Sequence, residues 1–99
     1  MQAAATNIGS FILTDSNIRN GRPYIAGTGV TVQRIVEWYK QGESPEEIAE
    51  NIFGHLSLAQ VFAALTYYHA NRERIEADIL QDVKIAKRLE KNWQSKPKH

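Results

Sequence analysis

The chain has 99 residues, 42% of them apolar, no cysteine and a net charge of +1. That length makes one small domain with a modest core, and the missing cysteine excludes a disulfide framework, a thiolate zinc site and a cysteine nucleophile. Charge is unevenly placed: residues 1–56 carry four basic and six acidic side chains, residues 57–99 eight and five. The basic end can steer toward nucleic acid or an acidic partner, or can be a solvated terminus. No apolar run approaches the ~18 residues of a membrane span, and the first ten residues lack a basic, then apolar, leader pattern. The expectation is a soluble cytoplasmic protein with no membrane contact.

The first third reads as short strands and turns. "SFILT" is a β-leaning apolar run stopped by "DSN", and "RNGRP" holds an Asn-Gly pair that accepts positive φ. "PYIA" is a second short strand, with Pro23 tolerated at its start. A small β-hairpin arm over 1–30 is predicted.

Three capped helices follow over 31–70. Thr31 caps a helix from Val32 to about Gln41, whose apolar positions Val32, Ile35, Val36 and Tyr39 follow helical spacing, with Gly42 at C′. In "SPEEIAENIFG", Ser44 is the N-cap, Pro45 takes N1 and Glu47 closes a capping box. Ile48, Ala49 and Ile52 form its buried face, and Gly54 ends it. Ser57 and Gln60 repeat the box before a third helix, with Leu58, Val61, Phe62, Leu65 and Tyr68 on one stripe. Two short capped helices joined by "FGHL" are the pattern of a helix-turn-helix unit, though many small bundles that bind no DNA share it. The fold class expected is mainly α, a three-helix homeodomain-like or helix-turn-helix core in a single domain.

Beyond Asn71, which caps a new helix or marks a bend, residues 71–94 read as one long amphipathic helix before a 95–99 tail. Ile75, Ile79, Val83, Ala86, Leu89 and Trp93 form a narrow apolar seam. Asp82 occupies a position where strict heptads want an apolar residue, which argues against a long regular coiled coil. The seam either folds back on its own core or packs on a second copy or a partner.

No residues assemble into catalytic chemistry. "GTGVTV" spaces Gly27 and Gly29 as in a dinucleotide fingerprint, but Val32 stands where the third glycine belongs and no βαβ unit surrounds it. The stretch reads as a bend into the first helix. His69 and Glu73 are four apart without a third ligand, His55 lies in a turn, and Ser44 and Ser57 are caps. No enzyme activity, metal or cofactor is expected.

For DNA the third helix is poorly equipped, because Leu58 to Ala70 contains no lysine or arginine, and phosphate neutralisation dominates protein–DNA affinity. Gln60, Thr66 and Tyr67 remain as base or backbone contacts, with positive charge supplied by Arg19 and Arg22 in the arm and Arg34 on the first helix.

Residues 18–71 resemble the bacterial family called domain of unknown function 433. Gly21, Pro23, Ile25, Gly27, Thr28, Val32, Gly42, Ser44, Glu46, Glu47, Ile48, Ala64, Leu65 and Tyr67 fall in its order. Where its members carry Gly-Thr-Arg, this chain has Gly27-Thr28-Gly29. The resemblance implies an antitoxin-like regulator: a homodimer that binds promoter DNA weakly and covers a PIN-like ribonuclease toxin with its C-terminal helix. The competing reading is a protein-interaction module without DNA binding.

Overall fold

The computed structural model describes residues 8–95. A 3-10 turn, Ile8–Phe11, leads into strand β1 (Ile12–Leu13), which pairs antiparallel with β2 (Tyr24–Ile25) in the register Ile12↔Ile25, Leu13↔Tyr24. Between them the chain reverses through Arg19–Gly21, where Arg19, Asn20 and Gly21 take φ of 52, 57 and 76°. Left-handed backbone at Asn and Gly is ordinary for a tight turn, but at an arginine it is uncommon and costs roughly 1 kcal/mol. The predicted two-stranded arm therefore forms, with its strands shorter than the apolar runs that mark them.

The glycine stretch is a bend held by hydrogen bonds around it. The Ile25 N–H donates to the Val30 carbonyl (2.9 Å), Thr28 N–H to the Ile25 carbonyl (3.0 Å) and Val32 N–H to the Pro23 carbonyl (2.9 Å). The Thr28 hydroxyl bridges the loop, donating to the Ile25 carbonyl (2.8 Å) and accepting from Val30 N–H (3.1 Å). Gly27, at φ +77°, makes the turn.

Helix α1 (Val32–Lys40) starts where Thr31 accepts from Arg34 N–H (3.2 Å) and stops before Gly42 at φ +101°. Helix α2 (Pro45–Glu47) starts on Ser44, whose hydroxyl accepts from Glu47 N–H (3.1 Å). The expected reciprocal bond is replaced: the Glu47 carboxylate takes the Asn51 side-chain amide at 2.7 Å. An amide one turn on competes well with a backbone N–H for one carboxylate. From Ile48 to Phe53 the segment continues as a π-helix, closed by a bond from Gly54 N–H to the Ala49 carbonyl (3.0 Å), with Gly54 left-handed at φ 78°. Caps and periodicity report where a helix begins and which residues face inward. They do not report the size of its hydrogen-bonded ring, so this widening has no sequence mark.

Helix α3 (Leu58–Ala70) carries the full capping box, Ser57 N–H to Gln60 Oε1 (2.7 Å) and Gln60 N–H to Ser57 Oγ (3.1 Å). Its axis is bent by 120° from that of Pro45–Phe53. Val61, Ala64, Leu65 and Tyr68 enter the core, whereas Leu58 and Phe62, expected on the same stripe, are exposed. A stripe from 58 to 68 is wider than the surface that α1 and the arm offer, so its flank stays in solvent.

Ile25, Val32, Ile35, Val36, Ile48 and Val61 are fully buried, and each such side chain contributes about 1.5–3 kcal/mol of transfer free energy. Helix α4 (Arg72–Ser95) adds Ile75, also fully buried in this core, after a break at Asn71. No single helix among the described residues is long and apolar enough to cross a membrane.

Candidate functional site

Helix α4 is two different surfaces joined end to end. Its first eleven residues dock on the rest of the chain. Ile75 is in the core and Ile79 packs against it. Glu76 accepts from Lys40 Nζ at 2.8 and 2.9 Å and from the Tyr68 hydroxyl. The Arg74 guanidinium donates to the Gly21 carbonyl in the arm (3.0 Å). These bonds hold the Glu76 carboxyl below its ordinary value, chiefly through Lys40 and then Tyr68, while the Tyr68 hydroxyl is pushed up by Glu76 and by its burial.

Docking ends at Asp82. This carboxylate accepts from Arg22 at 2.7 and 3.0 Å and from the Gln33 amide at 2.7 Å. Gln33 is buried and spans the group, accepting from Arg22 (2.9 Å) and donating to Glu37 (3.3 Å) as well. Among the described residues no buried side-chain nitrogen or oxygen lacks a partner, which is the condition under which a polar group is tolerated inside. Asp82 is held below its ordinary value by the Arg22 and Gln33 bonds, and Arg22 is raised by the same partner.

Past Asp82 the apolar residues pack on nothing among the described residues. Val83, Ile85 and Leu89 are 43–63% exposed, and Ala86 is exposed too. Lys84, Lys87, Arg88 and Lys91, spaced 3, 1 and 3 apart, share the opposite face. The seam read from sequence is therefore divided: Ile75 and Ile79 pack in cis, and Val83, Ala86 and Leu89 are free. The Trp93 side chain and residues 96–99 lie outside the described residues.

The three arginines proposed as cationic contacts converge. Arg19 and Arg22 from the arm and the exposed Arg34 from the first turn of α1 line one cleft of ≈ 410 Å³, with Asn20, Gln33, Glu37, Phe53 and Asp82. Their states differ. Arg22 is taken by Asp82, whereas the side chains of Arg19 and Arg34 have no hydrogen-bond or ion-pair partner among the described residues. The Arg19 guanidinium reaches back over Gly29, so close that a Cβ built at Gly29 would lie 2.6 Å from Nη2. A guanidinium from position 19 thus lies over the backbone at Gly29, where the resemblance leads one to expect an arginine.

The α3 candidates do not join this cleft. Gln60 is spent on the capping box, Thr66 is exposed, and Tyr67 is half-buried against the core. Outward, α3 presents Leu58, Ala59, Phe62, Thr66 and His69. His55 bonds the Phe53 carbonyl through Nδ1 (2.9 Å), as a turn residue does. Sequence reasoning missed Gln33, Glu37 and Phe53. It did single out Asp82, as an interruption of the seam, and that interruption marks where the helix leaves the core.

A mainly helical domain with a two-stranded arm, an arginine-lined cleft and a half-docked C-terminal helix is the class defined here. The family described as "Protein of unknown function (DUF433)" matches residues 12–68, more than half of the chain, and the chain belongs to it. A crystal structure of a DUF433 member protein from Anabaena variabilis ATCC 29413, at 2.00 Å resolution, is similar with a TM-score of 0.66 and 27% identity, over 72% of this chain and 69% of that one. No curated protein matches the chain. The family match ends at Tyr68, so α4 lies outside it, while Arg22 and Gln33, which hold Asp82, lie inside.

Proposed function

We propose that this protein is an antitoxin-like interaction module that captures a protein partner with the distal half of α4. The carrying observation is the division of that helix at Asp82: one half is anchored to the core, and the other projects an apolar strip of Val83, Ile85, Ala86 and Leu89 backed by a basic face. An anchored base limits the entropy lost when the projecting turns are covered, and an amphipathic helix laid in a groove is a common recognition mode. The partner is a second copy of this chain or, as the family resemblance implies, a PIN-like ribonuclease.

The 120° bend between α2 and α3 across a short turn containing Gly54 suits a helix-turn-helix unit. The outward face of α3 nevertheless holds Leu58 and Phe62 and no lysine or arginine, which favours the reading without DNA binding over promoter recognition as a dimer. The test is light scattering of the chain alone and mixed with the product of the adjacent reading frame. A mass increase that Val83→Asp with Leu89→Asp abolishes supports the proposal. A monomer mass for the chain alone together with no added mass in the mixture overturns it, and a salt-sensitive shift of upstream DNA would restore the DNA-binding reading.

A further inference from the structure

The cleft between the arm and α1 has a chemistry that partner capture by α4 does not use. We infer that it binds one phosphate group carried on a ring, in a ligand the size of a mononucleotide.

Arginine stays protonated in proteins and offers five donors in a fixed fork suited to oxyanions. Arg19 and Arg34 bring two such forks to one cleft with no acceptor for either among the described residues. The Arg22 charge is already matched. Arg22 is bidentate with Asp82, and Gln33 spends its carbonyl on Arg22 and its amide on Asp82 and Glu37. That network forms a braced wall beside the two remaining cations.

Size and lining narrow the ligand. At ≈ 410 Å³ the cleft exceeds what a bare oxyanion fills and lies within the usual range of small-molecule sites. Phe53, half-buried at the end of the π-helical segment, and Val30 supply apolar wall for a ring. The Glu37 carboxylate on the same lining, with no ion pair among the described residues, repels a chain of phosphates, which favours a single phosphate. Such a group could belong to a free nucleotide or to an unpaired nucleotide of a nucleic acid.

Gly29 offers a clean probe. Its φ is not in the left-handed region, and the one near neighbour of an added Cβ is the mobile end of Arg19. Gly29→Ala should displace that guanidinium and leave the fold intact.

The experiment is titration calorimetry of the full chain with adenosine 5′-monophosphate, adenosine, inorganic phosphate and a short single-stranded oligonucleotide. Binding of the monophosphate is expected, with adenosine at least about tenfold weaker, as loss of a charge-assisted bond requires. Arg19→Ala, Arg34→Ala and Gly29→Ala should each weaken the monophosphate about tenfold with an unchanged circular dichroism spectrum. An oligonucleotide that binds more tightly than the monophosphate identifies nucleic acid as the source; equal or weaker binding identifies the free nucleotide. Absence of monophosphate binding, equal affinity for adenosine, inorganic phosphate binding as tightly as the monophosphate, or full affinity in Arg19→Ala overturns the inference. The α4 variants leave this binding unchanged, so it stands or falls apart from partner capture.

Discussion

Arg22 and Asp82, sixty positions apart, form a two-pronged ion pair at 2.7 and 3.0 Å that ties the N-terminal arm to the C-terminal helix. Gln33 of α1 braces both partners. The pair is partly exposed, so its direct contribution is modest, but the buried amide depends on it. Asp82→Ala should cost about 1 kcal/mol in urea unfolding. It should also raise amide exchange in α4 from about residue 79 onward, while exchange in α1 changes little. Equal exchange throughout α4 in the variant and the parent would mean that the pair anchors nothing.

The division of α4 has a thermodynamic counterpart. Ile75 is fully buried, so Ile75→Ala should destabilise by ~2–5 kcal/mol through lost transfer energy and a residual cavity. Leu89, at 63% exposed, has no core to leave, and Leu89→Ala should stay within about 0.5 kcal/mol for the isolated chain. Chemical unfolding of the two variants side by side reads the difference directly.

Acid should loosen the docked half first. Glu76 and Asp82 are both held below their ordinary values of 4.5 and 3.8. The folded state then binds fewer protons than the unfolded one, and the stability these groups contribute is complete above that range. It is lost as pH falls below 4.5, through the lowered folded values. The urea midpoint should drop over that interval, and Asp82→Asn with Glu76→Gln should flatten the dependence. A parent and variant with parallel acid profiles would refute this linkage.

Two glycines should respond differently to alanine. Gly54 ends the π-helical segment at φ +78° with only ordinary contact around a would-be Cβ, so Gly54→Ala pays for backbone conformation alone, roughly 1–2 kcal/mol. Gly29 lacks that constraint, and Gly29→Ala should change the melting midpoint little, because a side-chain end can move aside. Thermal unfolding monitored at 222 nm by circular dichroism, a conventional ~222 nm helix signal, distinguishes them, with Gly54→Ala lower.

Local chemistry was legible wherever the signal is short-range. Thr31, Ser44 and Ser57 announce helix starts because a hydroxyl at N-cap answers an amide two or three residues on, whatever lies beyond. Gly27, Gly42 and Gly54 mark reversals for the same local reason. The family stretch could be recognised on residues in the arm and the first three helices. The cleft was half legible: its arginines stood out as cations, but nothing in their spacing says that Arg22 would be neutralised and Arg19 and Arg34 left open.

By itself, then, the sequence determined the helices, their caps, the two-stranded arm, the family and the amphipathic character of residues 71–94. Tertiary structure alone decided how that last helix is used. Periodicity gives a helix an apolar face along its whole length, but only the finite extent of the core beneath it determines where burial stops. Here the core ends near Ile79, Arg22 receives Asp82 at its edge, and the apolar residues of the turns beyond lie exposed.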